Sequence, residues 1–283
     1  MAVERIGVVG LGAMGAGIAQ VAIEAGFEVV GREVTTELGE AAAGRIGHFL
    51  TRKVEKGQRT QDERDAAVAR LTTTSELSKL SECDLVIEAI VEELDAKRAL
   101  FAELERICRT DAVLATNTSA LSVTEIAAAT ATPERVVGMH FFNPAPLMPL
   151  VEVVRAQLSA DEAVAAALAI VERLGKVAVP CHDTPGFVVN RVLIPLLNDC
   201  VRVLDEARVT PESLDAAMTN GAGWPMGPCT LLDLVGIDVH VHASEALYEK
   251  LREPRMAPPP RIVGMRNAGL LGRKSSRGFY GYE

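Results

Sequence analysis

Apolar residues recur along this chain with two alternating patterns. Short continuous runs read as strands buried on both faces: Ile6–Val9, Phe27–Val30, Asp84–Ala89, Val113–Thr116, Val136–Met139 and Val177–Val179. Longer stretches between them carry the helical period: Ala13–Ala25, about Leu38 to Lys56, around Asp62–Arg70, and Ala96–Cys108. Such alternation predicts a mostly parallel sheet covered by helices on both faces. The pattern changes near Asp183-Thr184-Pro185-Gly186, and beyond it strand signals vanish. Phe187–Ala207, Pro211–Met218, Leu231–Leu251 and roughly Pro260–Ala268 look helical, with Thr210 as N-cap and Pro211 in the first turn. Pro258-Pro259-Pro260 marks a stiff surface loop. The expected organisation is an α/β domain over residues 1–183 and an all-helical domain over 184–283.

Composition narrows the function classes. The chain has 283 residues, 48% hydrophobic and 24% charged, enough for a large core in one or two soluble domains. A net charge of −9 without a basic stripe argues against a dedicated nucleic-acid binder. Cys83, Cys108, Cys181, Cys200 and Cys229 show no paired or metal-ligand spacing. They fit reduced thiols in a reducing compartment, and no metal is expected. Met1 to Arg5 runs straight into the first strand, so no leader is expected, and no apolar run is long enough to span a bilayer. These readings place the protein in the cytoplasm, or in an organelle matrix if a targeting segment was removed, away from membranes.

The chemistry begins at Gly10-Leu11-Gly12-Ala13-Met14-Gly15, which matches the dinucleotide fingerprint G-x-G-x-x-G between a strand and a helix. Gly10 permits the tight turn, Gly12 lets the backbone approach a pyrophosphate, and Gly15 lets helix and strand pack closely. Leu11, Ala13 and Met14 line the same turn, and the helix N-terminus offers unpaired N–H groups to phosphate. Glu33, about twenty residues on, suits the ribose hydroxyls and repels a 2′-phosphate, which favours NAD; Arg32 beside it pulls the other way. The fold expected is therefore a Rossmann-type doubly wound sheet followed by a helical domain.

Further on stands His140-Phe141-Phe142-Asn143-Pro144, after a strand, with Glu152 following in Leu150-Val151-Glu152-Val153. Oxidising a secondary alcohol requires loss of the hydroxyl proton as hydride leaves the carbon. An imidazole titrating near neutrality can take that proton, and a carboxylate on its other nitrogen orients it. The structural alternatives are a hydrogen-bonded structural histidine and a buried ion-pair glutamate.

Asn117-Thr118-Ser119-Ala120-Leu121-Ser122 and the His140 run, with Asp183 through Arg191, resemble the 3-hydroxyacyl-CoA dehydrogenase family, including its bacterial 3-hydroxybutyryl-CoA dehydrogenases. The likeness extends through Gly223-Trp224-Pro225-Met226-Gly227-Pro228, Leu232-Asp233, Gly236, Leu271-Gly272-Arg273-Lys274 and Gly278-Phe279-Tyr280. It implies NAD-dependent interconversion of (S)-3-hydroxyacyl-CoA and 3-oxoacyl-CoA, with the thioester in a cleft between domains and a homodimer formed through the helical domain. By position it assigns His140 as general acid/base and Glu152 as its partner, and Ser119 and Asn190 to the reacting oxygen or the histidine. Glu92, Lys97, Asn117, Ser119, Asn143 and Lys274 fall at cofactor-contacting positions, and Lys56 at a coenzyme A phosphate. Ser119 could instead cap the following helix, and Asn190 could cap a helix or bridge the domains. Three positions depart from the family pattern: Glu33 replaces the usual aspartate, Phe49 a small polar residue near coenzyme A, and Ser276 a glycine. Two alternatives stand beside this reading. One is a β-hydroxyacid dehydrogenase acting on a free acid; that class uses a catalytic lysine and a mid-chain glycine-rich segment, and no such segment is found here. The other is a crystallin-like or sensor protein that binds nucleotide without turnover.

Overall fold

A computed structural model of the chain describes residues 3–282; Met1 and Ala2, where the leaderless reading starts, and Glu283 lie outside the described residues. The chain divides between Thr184 and Pro185 into two units.

The first unit contains, in chain order, β1 (Arg5–Val9), α1 (Ala13–Glu24), β2 (Glu28–Arg32), α2 (Thr36–Glu55), α3 (Gln61–Ala69), β3 (Leu71–Thr74) and β4 (Leu85–Glu88). There follow α4 (Leu94–Ile107), β5 (Val113–Thr116), α5 (Val123–Ala127), β6 (Val136–Phe141), β7 (Leu150–Arg155), α6 (Asp161–Arg173) and β8 (Val177–His182). The strands form one sheet in the order β3-β2-β1-β4-β5-β6-β7-β8. β1 to β6 are parallel, β7 is antiparallel to β6, and β8 is parallel to β7. The strand order reverses between β1 and β4, the switch point beside which doubly wound sheets bind nucleotides. Ile6, Val8, Ile18, Ile23, Phe27 and Ile87 are fully buried in its core, each contributing roughly 1.5–3 kcal/mol by burial. Local sequence sets several helix starts. Thr35 Oγ1 accepts the Leu38 N–H at α2, and Thr60 with Glu63 forms a reciprocal capping box at α3.

Four elements lie outside those read from the sequence pattern: β3, β7, α5 and α6. β3 is a four-residue edge strand with one aliphatic residue, too short and polar to register as a buried run. β6 also continues two residues beyond the expected Met139. His140 is therefore inside a strand rather than after one, because β7 supplies the partner that keeps the chain extended.

The second unit is helical, as expected: α7 (Val189–Glu206), α8 (Pro211–Gly221), α9 (Pro228–Val235), α10 (Ile237–Leu251) and α11 (Pro260–Asn267). Thr210 caps α8 through the Ser213 N–H, with Pro211 at its first position. The expected single helix Leu231–Leu251 is two, because Gly236 takes φ 103°, a value no helical residue adopts. Two buried or half-buried carboxylates staple the end of the chain. Asp233 accepts the Phe279 and Tyr280 N–H groups and the Tyr282 hydroxyl; Asp215 accepts from Thr230, the Cys229 N–H and the Tyr280 hydroxyl. The Leu232-Asp233 and Gly278-Phe279-Tyr280 segments are thus joined by hydrogen bonds that fold the tail. Ser276 sits at φ 57°, a left-handed backbone in which glycine is relieved of Cβ strain.

A buried polar chain ties α7 to α10. His240 Nε2 donates to Asn198 Oδ1 at 2.9 Å, and Asn198 Nδ2 donates to the carbonyls of Arg255 and Met256. Burial depresses the His240 imidazole to about 4. Below pH 6.5 the unfolded chain takes a proton that the native histidine refuses, so this site withdraws stability as pH falls from 6.5 to about 4, by up to about 3 kcal/mol, and is silent above that window. Unfolding followed by Trp224, the sole tryptophan, should show a steeper acid loss in wild type than in His240→Gln. Equal slopes would remove His240 as the source.

Candidate active site

β1 ends at Val9, and the chain turns through Gly10, Leu11 and Gly12 into α1. Gly10 has φ 85°, and its N–H donates to the Arg32 carbonyl at 2.9 Å. A Cβ on Gly15 would lie 1.7 Å from the Gly10 carbonyl oxygen, so no larger residue fits there. A Cβ on Gly12 would point into open space, and no side chain caps α1. The turn therefore offers a phosphate a close approach to the backbone and first-turn N–H groups without intrahelical acceptors. These features fit a dinucleotide.

Glu33, just past β2, turns its carboxylate back on this loop. Oε1 accepts the Leu11 N–H at 2.7 Å and Oε2 the Val34 N–H at 2.9 Å. Arg32, the residue that argued for a 2′-phosphate, donates through Nε to the Ser75 carbonyl at 3.3 Å. A fixed anion at the end of β2, with the neighbouring cation engaged elsewhere, is the charge pattern of an NAD site.

The carboxyl ends of β4 and β5 carry an ionic network. Glu88 is fully buried, and its Oε1 binds Lys97 Nζ at 2.5 Å and the Ile90 N–H at 2.7 Å. Its Oε2 accepts from Thr116 Oγ1 at 2.7 Å. Lys97 reaches on to Glu92 Oε2 at 3.2 Å. Glu92 Oε1 then gathers the Thr118 hydroxyl, the Ser119 and Ala120 N–H groups and, at 3.3 Å, the Ser119 hydroxyl. Burial pushes the Glu92 carboxyl up, but Lys97 and these donors outweigh it and hold it below the ordinary range. Lys97 is 1% exposed, so its ammonium serves this network from inside the domain. Glu88 was not singled out from the sequence. The available signal was a carboxylate at the end of the apolar run Asp84–Ala89, where a charge needs a buried partner.

Ser119 itself is exposed. It does not cap α5; Ser122 does, through the Glu125 N–H. Asn117 Oδ1 accepts the Phe141 N–H at 2.9 Å and ties this turn to the end of β6.

That end carries His140. In the β6–β7 register His140 stands directly opposite Glu152. Directly opposed residues project to the same face with Cβ atoms roughly 4.5–5.5 Å apart. The result is His140 Nδ1 at 2.7 Å from Glu152 Oε2, with the histidine 5% exposed and the glutamate fully buried. With a carboxylate acceptor at Nδ1, the proton of the neutral ring resides there and Nε2 carries the lone pair. The Phe142 ring packs on the imidazole at 4.5 Å between centroids. Asn143 begins the following loop, whose Ala145 and Met148 carbonyls each accept from Lys176 Nζ at 2.7 Å. Lys176 is a second residue that sequence reasoning passed over.

The remaining expected residues belong to other elements of the chain. Lys56 is the exposed C-cap of α2, with Phe49, half exposed, two turns earlier. Asn190 and Lys274 belong to the second unit. Asn190 is the second residue of α7, which has no side-chain cap. Lys274 Nζ binds the Asp238 carboxylate at 2.5 and 2.6 Å. Of the cysteines, Cys83 is pushed up to about 12 and Cys108 and Cys181 to about 11, mainly by burial, and burial also raises Cys200 and Cys229. They are thiols at neutral pH, without the thiolate a nucleophile needs.

Residues 5–184 match the family model described as the NAD binding domain of 3-hydroxyacyl-CoA dehydrogenase, and residues 186–282 its C-terminal domain. A 3-hydroxybutyryl-CoA dehydrogenase of Mycobacterium tuberculosis is 46% identical over 284 residues, covering 99% of each chain. A probable 3-hydroxybutyryl-CoA dehydrogenase of Bacillus subtilis is 43% identical, over 100% of this chain and 99% of its own. The crystal structure of the (S)-3-hydroxybutyryl-CoA dehydrogenase of Ralstonia eutropha superposes with a TM-score of 0.96 at 36% identity, covering all of both chains. A doubly wound NAD domain joined to a helical domain defines an NAD-dependent oxidoreductase. The chain belongs to the 3-hydroxyacyl-CoA dehydrogenase family.

Proposed function

We propose that this enzyme interconverts short-chain (S)-3-hydroxyacyl-CoA and 3-oxoacyl-CoA, with 3-hydroxybutyryl-CoA and acetoacetyl-CoA as its substrate pair. The observation that carries the mechanism is the His140–Glu152 contact, 2.7 Å across a strand pair at the carboxyl edge of a nucleotide-binding sheet. The names of the relatives, which match over the full chain, support the substrate.

NAD, when bound at the glycine turn, supplies the hydride acceptor. His140 takes the hydroxyl proton at Nε2 as the alcohol is oxidised and returns it in reduction. Glu152 holds the ring through Nδ1–H and offsets the charge of the imidazolium. The Ser119 hydroxyl, turned from its 3.3 Å contact with Glu92, donates to the alkoxide-like oxygen, and the family pattern gives Asn190 the same duty. The resemblance likewise keeps Glu92, Lys97, Asn117, Asn143 and Lys274 toward the cofactor and Lys56 toward the coenzyme A phosphates. Glu92 and Lys97 shape the cofactor edge through the network they form.

No helix among the described residues is long and apolar enough to cross a membrane, and we assign the enzyme to the cytoplasm. We further assign a homodimer formed through the helical unit. Val188, Val192 and Val203 are 41%, 63% and 40% exposed on α7 and its N-cap, at spacings that align them on one stripe. A monomeric mass in solution at micromolar concentration would overturn that assignment.

The assay is NADH absorbance with acetoacetyl-CoA, run beside NADPH and free acetoacetate. Oxidation that requires both the thioester and NADH is expected, since Glu33 opposes a 2′-phosphate. Equal turnover of the free acid would favour a β-hydroxyacid dehydrogenase. NADH binding without turnover of short or longer thioesters would favour a nucleotide-binding protein without catalysis.

A further inference from the structure

The glycine turn is flexible by composition. Leu11 stands between Gly10 and Gly12, so the peptide planes on either side of it can rotate at little steric cost. Two side chains from other elements hold them. Glu33 Oε1 accepts the Leu11 N–H at 2.7 Å and holds the Gly10–Leu11 plane. Arg45, an exposed residue of α2, donates from Nη2 to the Leu11 carbonyl at 3.0 Å and holds the Leu11–Gly12 plane. The Leu11 side chain is 1% exposed and packs where a Cβ on Gly31 would lie 2.8 Å from it, which anchors the residue between the two planes.

A trans peptide is planar, with its N–H opposed to its C=O. A bond that fixes the Leu11 carbonyl therefore fixes the direction of the Gly12 N–H on the opposite side. Gly12 is the N-cap of α1, and its open side is where a phosphate meets first-turn donors. We propose that Arg45 is a positioning residue of the cofactor site, setting the aim of the Gly12 N–H at the diphosphate before the cofactor arrives. The benefit is preorganisation: a turn already in its binding form loses less conformational freedom on binding. This inference rests on the NAD site itself and concerns a residue that neither the sequence reading nor the family resemblance assigned.

Calorimetric titration of wild type, Arg45→Met and Arg45→Lys with NADH, ADP-ribose and adenosine tests it. Arg45→Met should weaken NADH and ADP-ribose about tenfold, the size of a lost charged hydrogen bond, and leave adenosine unchanged. Arg45→Lys keeps a charged donor and should recover most of the affinity. NADH binding by Arg45→Met at wild-type strength would overturn the proposal. So would an equal loss for adenosine, which has no diphosphate and would report a general disturbance of the domain. A wild type that does not bind NADH would overturn the NAD site and this inference together.

Discussion

Replacing His140 with Ala is expected to lower kcat by about 10²–10⁴-fold, the usual contribution of a positioned general acid/base, with NADH binding unchanged. Nε2 is the only atom in the proposed mechanism that moves a proton, so no neighbouring group compensates. Glu152→Gln tests the partner separately. It keeps the size of the side chain and a hydrogen-bond acceptor for Nδ1–H but removes the charge facing the imidazolium. Its kcat should fall while the KM for NADH stays put. Glu152→Asp withdraws the carboxylate by one methylene from a 2.7 Å contact and should also lose turnover. If both glutamate variants turned over at the wild-type rate, Glu152 would be a structural residue. If His140→Ala retained activity, the proton-transfer assignment would fail.

The second large effect is expected at Lys97→Met, and it is an effect on stability. Lys97 and Glu88 are 1% and 0% exposed and 2.5 Å apart. Removing the ammonium leaves the Glu88 carboxylate buried without its counter-charge, which costs about 3–5 kcal/mol for a broken buried pair. A domain of this size should then melt roughly 10 °C lower. A lysine that only touched cofactor would lose NADH affinity and keep its melting temperature. Thermal unfolding of the unliganded protein therefore separates the two roles. The double variant Lys97→Met with Glu88→Gln should recover part of the loss, because it removes the stranded charge. An unchanged melting temperature in Lys97→Met would show that the pair is not stabilising.

The two units differ in how openly their sequences announce them. The polar edge strand β3 is not legible, but most strands of the first unit are, because they are short apolar runs, the signature of a sheet covered on both faces. β7 has the same character, yet its importance lies in pairing with β6 across an eight-residue loop. Nothing local states that it runs antiparallel to β6 in a sheet otherwise read as parallel. In the second unit, the helical period runs on through residues 231–251. The break at Gly236 depends on a φ of 103° that composition permits without requiring.

The same division holds at the site. Which residues could do the chemistry follows from side-chain type and order alone: a glycine fingerprint between strand and helix, an acidic residue after β2, a histidine run and a later glutamate. Local sequence determines these because a turn, a cap or an N–H cradle is made by neighbours in the chain. Whether the residues meet is decided by the tertiary structure. His140 and Glu152 touch because strand register places them opposite one another; a slip of one residue would turn Glu152 to the other face of the sheet. Lys97 binds Glu88 and Glu92, while Thr116, from β5, holds the other oxygen of Glu88. Arg45 reaches Leu11, thirty-four positions away, because α2 lies beside the glycine turn. Those distances are set by the packing of the whole sheet and its helices, a non-local property that no short stretch of the chain contains.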